Sequence, residues 1–316
     1  MNDIKTQLEH TLDKFDIGNN KLGEHYKGKV RDNFYSDDTM LMVTTDRVSA
    51  FDHVLGTIPF KGQILTEIAN FWFEKTKDIV PNHIISSPDP QVLVAKKAKT
   101  LPVEVIVRQY ITGSLWREYS SGINGQYGFL LEDNLKENQK FDEPILTPST
   151  KAEYGLHDEP ISRKEIVKDL VPEEIYAKAE EYALKLFQVG QEWANERGLI
   201  LVDTKYEFGM YNDELIVIDE IHTPDSSRYW IKDCYEENFN NNQSQKMLDK
   251  ENIRQWLIEQ GFKGEGTPPK LSDEIRILLS EKYIELYKKL TGEEFKPYVG
   301  DVNKRIIDNL KVKSII

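Results

Sequence analysis

Hydrophobic and polar positions change their period several times along the chain. Across 26–103 the apolar residues fall in short runs, as in "GKVRDNFY" and "MLMVTTDRVSAFD", separated by polar turns, which predicts strands. A helix is expected over 65–76. The stretch "QVLVAKKAKTLPVEVIVRQY" then returns to a strand pattern, with 104–108, "EVIVR", as a short buried strand ending in a charge. Residues 117–162 are rich in Gly, Pro, Asn and Ser and predict long loops, which in a compact chain are usually functional or mobile. Residues 163–197 read as helical, with Pro172-Glu173-Glu174 as the start signal. Residues 199–221 read as a β-hairpin. Two further helices are expected, over 247–261 and over 271–291, where Gly292 is the stop. The expectation is a mixed α and β chain, strand-rich in its N-terminal half and helical at its C-terminal end.

Composition narrows the function classes. A chain of 316 residues with 39% hydrophobic residues has material for a large core, in one unit or in two to three packed subdomains. Its formal net charge of −13 argues against non-specific binding to nucleic acid or membrane surfaces, so an anionic substrate would need a local cluster of Lys and Arg. Cys234 is the only cysteine, which rules out an intrachain disulfide and fits a reducing compartment. The N-terminal "MNDIKTQLEH" lacks an apolar signal core and no apolar run approaches a membrane span, so a cytoplasmic location is expected.

Several polar stretches carry candidate chemistry. "GEHYKGKV" (23–30) nearly matches a phosphate-binding loop, but Val30 replaces the hydroxyl that would meet a metal ion, and strands follow where a helix is required. Gly28 between two strands, with Lys27, Lys29 and Arg31, leaves two readings: a glycine hairpin over nucleotide phosphates, or a plain polar hairpin. "TTDRVSAFD" (44–52) gathers Asp46, Arg47, Ser49 and Asp52 in either a turn or a site. Arg108 ends a strand ahead of Thr112-Gly113-Ser114, where Ser114 suits a helix N-cap or a phosphate contact. The loop "TPSTKAEYGLHDEPIS" (147–162) holds Lys151 and His157, and a lone loop His is usually a surface residue. "IDEIHTPDSSRYW" (218–230) packs Asp219, Glu220, Asp225 and Arg228 into a short span and favours a functional role.

The densest stretch is "LVDTKYEFG" (201–209). In a strand, Asp203, Lys205 and Glu207 share one face, and Val202, Thr204, Tyr206 and Phe208 pack behind. The partner strand ends near Asp219. A two-residue loop would set Glu207 opposite Ile218. An odd loop or a bulge near 211–213 would instead pair Met210 with Glu214 and bring Asp219 onto the face of Glu207. The odd register is the expectation, because two carboxylates at diagonal positions can share one hard cation, for which Mg²⁺ is the natural ion. An exposed ladder of salt bridges is the alternative, at about 0–1 kcal/mol per pair.

Taken in order, "GKVRD", "TDRVSAFD", "VEVIVRQYITGSLWREY", "TPSTKAEYGLHDEPIS", "LVDTKYEFG" and "DEIHTPDSSRYW" closely resemble the phosphoribosylaminoimidazole-succinocarboxamide (SAICAR) synthetase family in its longer form. The resemblance runs from about Tyr26 to about Gly292. It implies an α+β fold with a strand-rich nucleotide-binding lobe (1–105), a central lobe carrying substrate and metal (106–245) and a C-terminal helical segment (246–316). It also implies an ATP-dependent ligase joining L-aspartate to carboxyaminoimidazole ribotide. By this resemblance Lys29, Arg31, Lys99, Thr100, Leu101, Lys151, Glu207 and Asp219 stand at the ATP site, and Glu207 and Asp219 at the Mg²⁺. Arg108, Ser114, Asp203, Lys205, Asp225, Arg228 and Arg254 stand at the ribotide, with Asp203, Lys205 and Glu207 nearest the chemistry. Asp46, Arg47, Ser49 and Asp52 border the aspartate end. A different ATP-dependent ligase, or a small-molecule kinase, would keep the carboxylate pair and change the arginines.

Overall fold

The computed structural model describes residues 2–18, 22–151 and 158–316, and His157 lies outside them. The first sheet takes β1 (Glu24–Lys27), β2 (Arg31–Tyr35) and β3 (Thr39–Thr44). A separate hairpin, β4 (Arg47–Ala50) with β5 (His53–Thr57), and the helix Lys61–Thr76 follow before the chain returns as β6 (Ile84–Asp89) and β7 (Val92–Lys96). The order is β1-β2-β3-β7-β6, antiparallel throughout. The helix begins at Lys61, four residues earlier than its apolar pattern indicates, because its first turn is itself buried.

The second sheet is built on two long strands, β8 (Lys99–Tyr110) and later β11 (Leu199–Tyr211). β9 (Lys140–Leu146) and β10 (Ser149–Thr150) add to β8 from within the stretch expected to be loop. β9 sits on the sheet's edge, where its Pro144 is tolerated. β12 (Glu214–Ile218) and β13 (Ser227–Ile231) complete the sheet on β11. The expected lobe boundary at residue 105 falls inside β8, which belongs to the second sheet from Lys99 onward.

Helices cover the two sheets. Glu173–Asn195 starts at Pro172 and buries Tyr176, Ala179, Ala183, Leu186 and Phe187, a 3–4 residue spacing, against the second sheet. Asp273–Thr291, which ends at Gly292, packs on Lys61–Thr76. The helix Val302–Val312 places Val302, Ile306 and Leu310 on one stripe against Leu12 and against Phe34 and Leu41 of the first sheet. The C-terminal segment therefore braces the N-terminal sheet. Among the described residues, no helix is long and apolar enough to cross a membrane.

The β11–β12 hairpin has the two-residue loop and not the odd one. Tyr211 pairs with Glu214 and Glu207 with Ile218. Asn212 and Asp213 both take positive φ, 49° and 62°, as a tight hairpin turn of this twist requires. The expected register of Met210 with Glu214 is thus wrong by one residue.

Candidate active site

Strand pairing alone assembles the centre of the site. On β8 and β11, Arg108 is opposite Asp203, Ile106 opposite Lys205 and Glu104 opposite Glu207. Opposed residues share a face, so Glu104, Arg108, Asp203, Lys205 and Glu207 project together. On the other side of β11, Asp203 is also opposite Arg228 of β13. Its Oδ2 accepts from Arg108 Nη1 at 2.9 Å and from Arg228 Nη1 at 2.6 Å. One carboxylate thereby aims two arginines at the same space. Behind this face Val202, Thr204, Tyr206 and Phe208 are buried, and the Tyr206 hydroxyl meets His222 Nε2 at 2.5 Å.

Asp219 joins Glu207 by a route other than strand alternation. β12 ends at Ile218, and Asp219 adopts φ 66°, a left-handed conformation. The chain leaves the pleat there, so the carboxylate is freed from the face its position in a strand would dictate. Arg31 of β2 pairs with Asp219 and reaches Glu220 at 2.8 Å, so the first sheet is tied to the segment that follows β12 of the second. Lys205 lies among three carboxylates: it pairs with Glu207, and stands 3.0 Å from Glu104 and 3.7 Å from Asp219. Lys151 pairs with Glu207 from the opposite side.

The charge states follow from these contacts. Burial would raise the Glu207 carboxyl, but Lys205 and Lys151 overcome it and hold the group well below its ordinary range. Burial raises Glu104 despite Lys205, and the Glu207 carboxylate opposite it adds to the rise. Lys205 is pushed down by burial and up by Glu104, Glu207 and Asp219, with a net rise. Burial would also raise Asp225, but Lys61 and Lys250 bring it down to about 2.

Of the cavities that border this row, two hold most of the candidate residues. The one of about 420 Å³ is lined by Lys29, Ser49, Asp52, Arg108, Ser114, Asp203, Lys205, Asp225, Arg228 and Arg254, all candidates from the sequence. Ser114 does not cap its helix. Thr112 occupies the N-cap, and Ser114 in the first turn accepts from Arg108 Nη2 at 3.2 Å. Gly113 has φ 61°, and a Cβ there would lie 2.3 Å from Arg228 Nη2. The second cavity, about 130 Å³, lies between the sheets and is lined by Thr100, Lys151, Glu207 and Asp219 together with Met40, Met42 and His83. Gly209 permits the link between the sheets to pass closely, since a Cβ would meet Ala98 Cβ at 2.9 Å.

Some candidates stand elsewhere. Asp46 is fully buried and accepts from the backbone of Leu12 and Gly62, both at 2.7–2.8 Å, which puts it in the scaffold and away from both cavities. Burial pushes its carboxyl up to about 6. Arg47, 1% exposed, pairs with Asp32 at 2.9 Å and donates to the carbonyls of Gly28, Lys29 and Arg31. It braces the glycine hairpin from behind and lines neither cavity. Gly28 donates its N–H to Arg31, and Lys29 pairs with Asp52. Arg31 faces Asp219 and Glu220. Lys99 is exposed and the Leu101 side chain joins the core, so only Thr100 of that trio lines a cavity.

The sequence reading missed Glu104, Lys61, Lys250 and Glu251. Glu104 is identified by the β8–β11 pairing, which sets it opposite Glu207 and which no local pattern reveals. Lys61, 0% exposed and 2.8 Å from Asp225, carried no local signal, because its partner is 164 residues away. Glu251 lies 2.9 Å from Arg254 and 3.4 Å from Arg228, holding both toward the larger cavity.

Among the described residues, no group of three or more His, Cys, Asp or Glu could hold a metal ion by itself. Glu207 and Asp219 are nevertheless hard oxygen donors lining one cavity, and Mg²⁺ needs only one or two carboxylates where phosphates supply the rest. Their negative charge is met here by Lys151, Lys205 and Arg31, a demand that a divalent cation would also satisfy.

Comparison with known proteins bears on this geometry. A family model described as SAICAR synthetase matches residues 24–270. A phosphoribosylaminoimidazole-succinocarboxamide synthase of Bacteroides thetaiotaomicron is 49% identical over 291 residues, covering 90% of this chain and 93% of the relative. One of Legionella pneumophila is 45% identical over 300 residues, covering 92% and 95%. Among solved structures, the Saccharomyces cerevisiae SAICAR synthase complexed with SAICAR superposes with a TM-score of 0.79 at 35% identity, covering 90% of this chain and all of that one. A SAICAR synthetase in complex with ADP gives 0.66 at 27% identity, covering 86% and 100%.

Proposed function

This chain belongs to the SAICAR synthetase family, and on that premise we propose that it condenses L-aspartate with carboxyaminoimidazole ribotide, driven by ATP, to give SAICAR, ADP and phosphate. It is an ATP-dependent carbon–nitrogen ligase of purine biosynthesis, and the cytoplasm is its proposed location. The observation that carries the reading is the single sheet face on which an arginine–carboxylate–arginine row lies beside a lysine–carboxylate cluster, each next to its own cavity.

The nucleotide belongs between the sheets. Its base would lie toward Met40, Met42 and the strand beginning at Lys99, and its phosphates toward Lys151, Glu207 and Asp219, with the Gly28–Arg31 hairpin above. Glu207 and Asp219 would hold Mg²⁺, which when bound supplies charge neutralisation at the transferring phosphates. The ribotide belongs in the larger cavity. Arg108, Ser114 and Arg228, with Arg254 nearby, match a phosphate through forked hydrogen bonds, and Asp225 faces the same space as an acceptor for hydroxyls.

The ribotide carboxylate must be activated before an amine can attack it. A carboxylate oxygen attacks the γ-phosphorus, ADP leaves, and the aspartate amine then displaces phosphate from the acyl phosphate. Lys205, between the two cavities, is placed to neutralise the carboxylate and the arriving phosphoryl group. Asp203 already accepts two guanidinium bonds on one oxygen, so its task is to orient the arginines, and a phosphate oxygen is the better acceptor for the amine proton. Aspartate enters past Ser49 and Asp52 at the cavity rim.

Ribotide labelled with ¹⁸O in its carboxylate tests the route. One ¹⁸O should appear in the released phosphate. Phosphate without label would exclude an acyl phosphate.

A further inference from the structure

Lys61 does not line either cavity, yet it touches a residue that does. It sits in the first turn of the helix Lys61–Thr76, in the N-terminal lobe, with its side chain 0% exposed. Its ammonium donates to Asp225 Oδ2 at 2.8 Å. The other carboxylate oxygen, Oδ1, accepts from the Tyr283 hydroxyl at 3.4 Å, from the helix Asp273–Thr291. Asp225 is 3% exposed and lines the larger cavity. Three segments far apart in sequence therefore meet at one carboxylate.

A fully buried lysine is costly unless a partner is fixed in place, and the pair gives little net stability compared with apolar packing. A pair of this kind in the wall of a substrate cavity is better explained by how it holds the carboxylate that lines the cavity. We propose that Lys61 is a positioning residue for ribotide binding: with Tyr283, it holds Asp225 in the cavity wall so that its carboxylate accepts hydrogen bonds from the hydroxyls of a sugar phosphate. This rests on the reading of the larger cavity as the ribotide site.

The environment of Asp225 makes the role measurable. Facing it are Lys61, Lys250 at 4.0 Å, Tyr283, and, at longer range, Arg31 and Glu220. Burial alone would raise the Asp225 carboxyl, and Lys61 is the largest opposing influence. Without that ammonium the carboxyl moves upward, so Asp225 takes up its proton at a higher pH than in the wild type. A protonated Asp225 loses acceptor capacity, so the defect should deepen at lower pH.

The test is calorimetric titration of SAICAR and, separately, of ADP into wild type and Lys61→Met, between pH 6 and 8.5. The wild type should bind both. Lys61→Met should bind SAICAR at least tenfold more weakly, with the ratio to wild type never narrowing as the pH falls, and should bind ADP within twofold of wild type. Unchanged SAICAR affinity across the range, or equal losses for SAICAR and ADP, overturns the proposal. Tyr283→Phe, which removes one hydrogen bond and no charge, should weaken SAICAR about threefold and leave ADP alone. If Lys61→Met does not fold, this second variant decides the matter, and an unchanged SAICAR affinity then overturns the role. A wild type that binds ADP but not SAICAR overturns the ribotide reading itself.

Discussion

Arg108 and Asp203 stand directly opposite one another on β8 and β11, and their side chains close an ion pair of 2.9 Å. Because Arg228 occupies the opposed position on β13 and bonds the same oxygen, one row across three strands sets the anion-binding end of the site. Asp203→Asn would leave two buried guanidinium groups facing a neutral amide. Breaking a buried pair from one side costs roughly 3–5 kcal/mol, and the isosteric amide recovers part of that. The expected outcome is a melting temperature several degrees lower, and kcat/KM for the ribotide reduced by about two orders of magnitude. Thermal melts and steady-state kinetics check both. A variant with lowered stability but normal ribotide kinetics would assign the row to the scaffold alone.

Glu207 and Asp219 belong to different elements, one in mid-strand and one just beyond a strand end. Glu207→Gln and Asp219→Asn should each cut turnover by about 10²–10³ while leaving the circular dichroism spectrum unchanged. Raising the Mg²⁺ concentration should partly restore activity in each. Near-normal turnover in either variant would remove that residue from the metal assignment.

Asp249 provides a pH test of the buried charge beneath the larger cavity. Burial pushes its carboxyl up to about 7, although the backbone N–H groups of Tyr229 and Glu251 donate to it at 2.6 and 2.7 Å. A carboxyl raised in the folded state binds its proton more tightly there than in the unfolded chain. Its contribution is therefore fully present below about pH 4 and is lost as the pH rises to about 7. Denaturant unfolding of wild type and Asp249→Asn should show the wild type losing stability relative to the variant over that interval, at no more than about 1.4 kcal/mol per pH unit, with no further divergence above pH 7. A constant difference from pH 4 to 8 would contradict the shift.

The Asn212-Asp213 turn fixes the register that brings Glu207 opposite Ile218. Both residues sit at positive φ, which β-branched side chains strongly disfavour. Asp213→Gly should be neutral or stabilise slightly. Asp213→Val should destabilise by about 1–2 kcal/mol. Equal melting temperatures for the two variants would mean that the turn is not under this constraint.

Much of this site was legible in the sequence, and the limits have physical causes. Alternation placed Asp203, Lys205 and Glu207 on one face, because the side-chain period of a strand is local. The same rule misplaced the hairpin register, since it assumed that Asp219 lies in the strand, whereas its left-handed φ takes it out of the pleat. Asp46 and Arg47 looked like site residues because charges in a short polar stretch do not reveal whether they face a cavity or the backbone of a neighbouring loop. They do the latter. Lys61 was invisible, since burial of a lysine depends on a partner that only the tertiary fold supplies. The helix 302–312 falls inside the segment expected to be helical, but its bounds were not legible: its apolar stripe is short, and its packing surface is the first sheet, far away in sequence.

The central claim is that one site couples ATP to the joining of an amine and a carboxylate. It is tested most directly by following ADP release with purified protein, Mg²⁺ and ATP, adding L-aspartate and carboxyaminoimidazole ribotide separately and then together. The account predicts ADP and SAICAR in equal amounts only when all three substrates are present. Sustained ADP release with either aspartate or the ribotide omitted, or its absence when both are supplied, would contradict it.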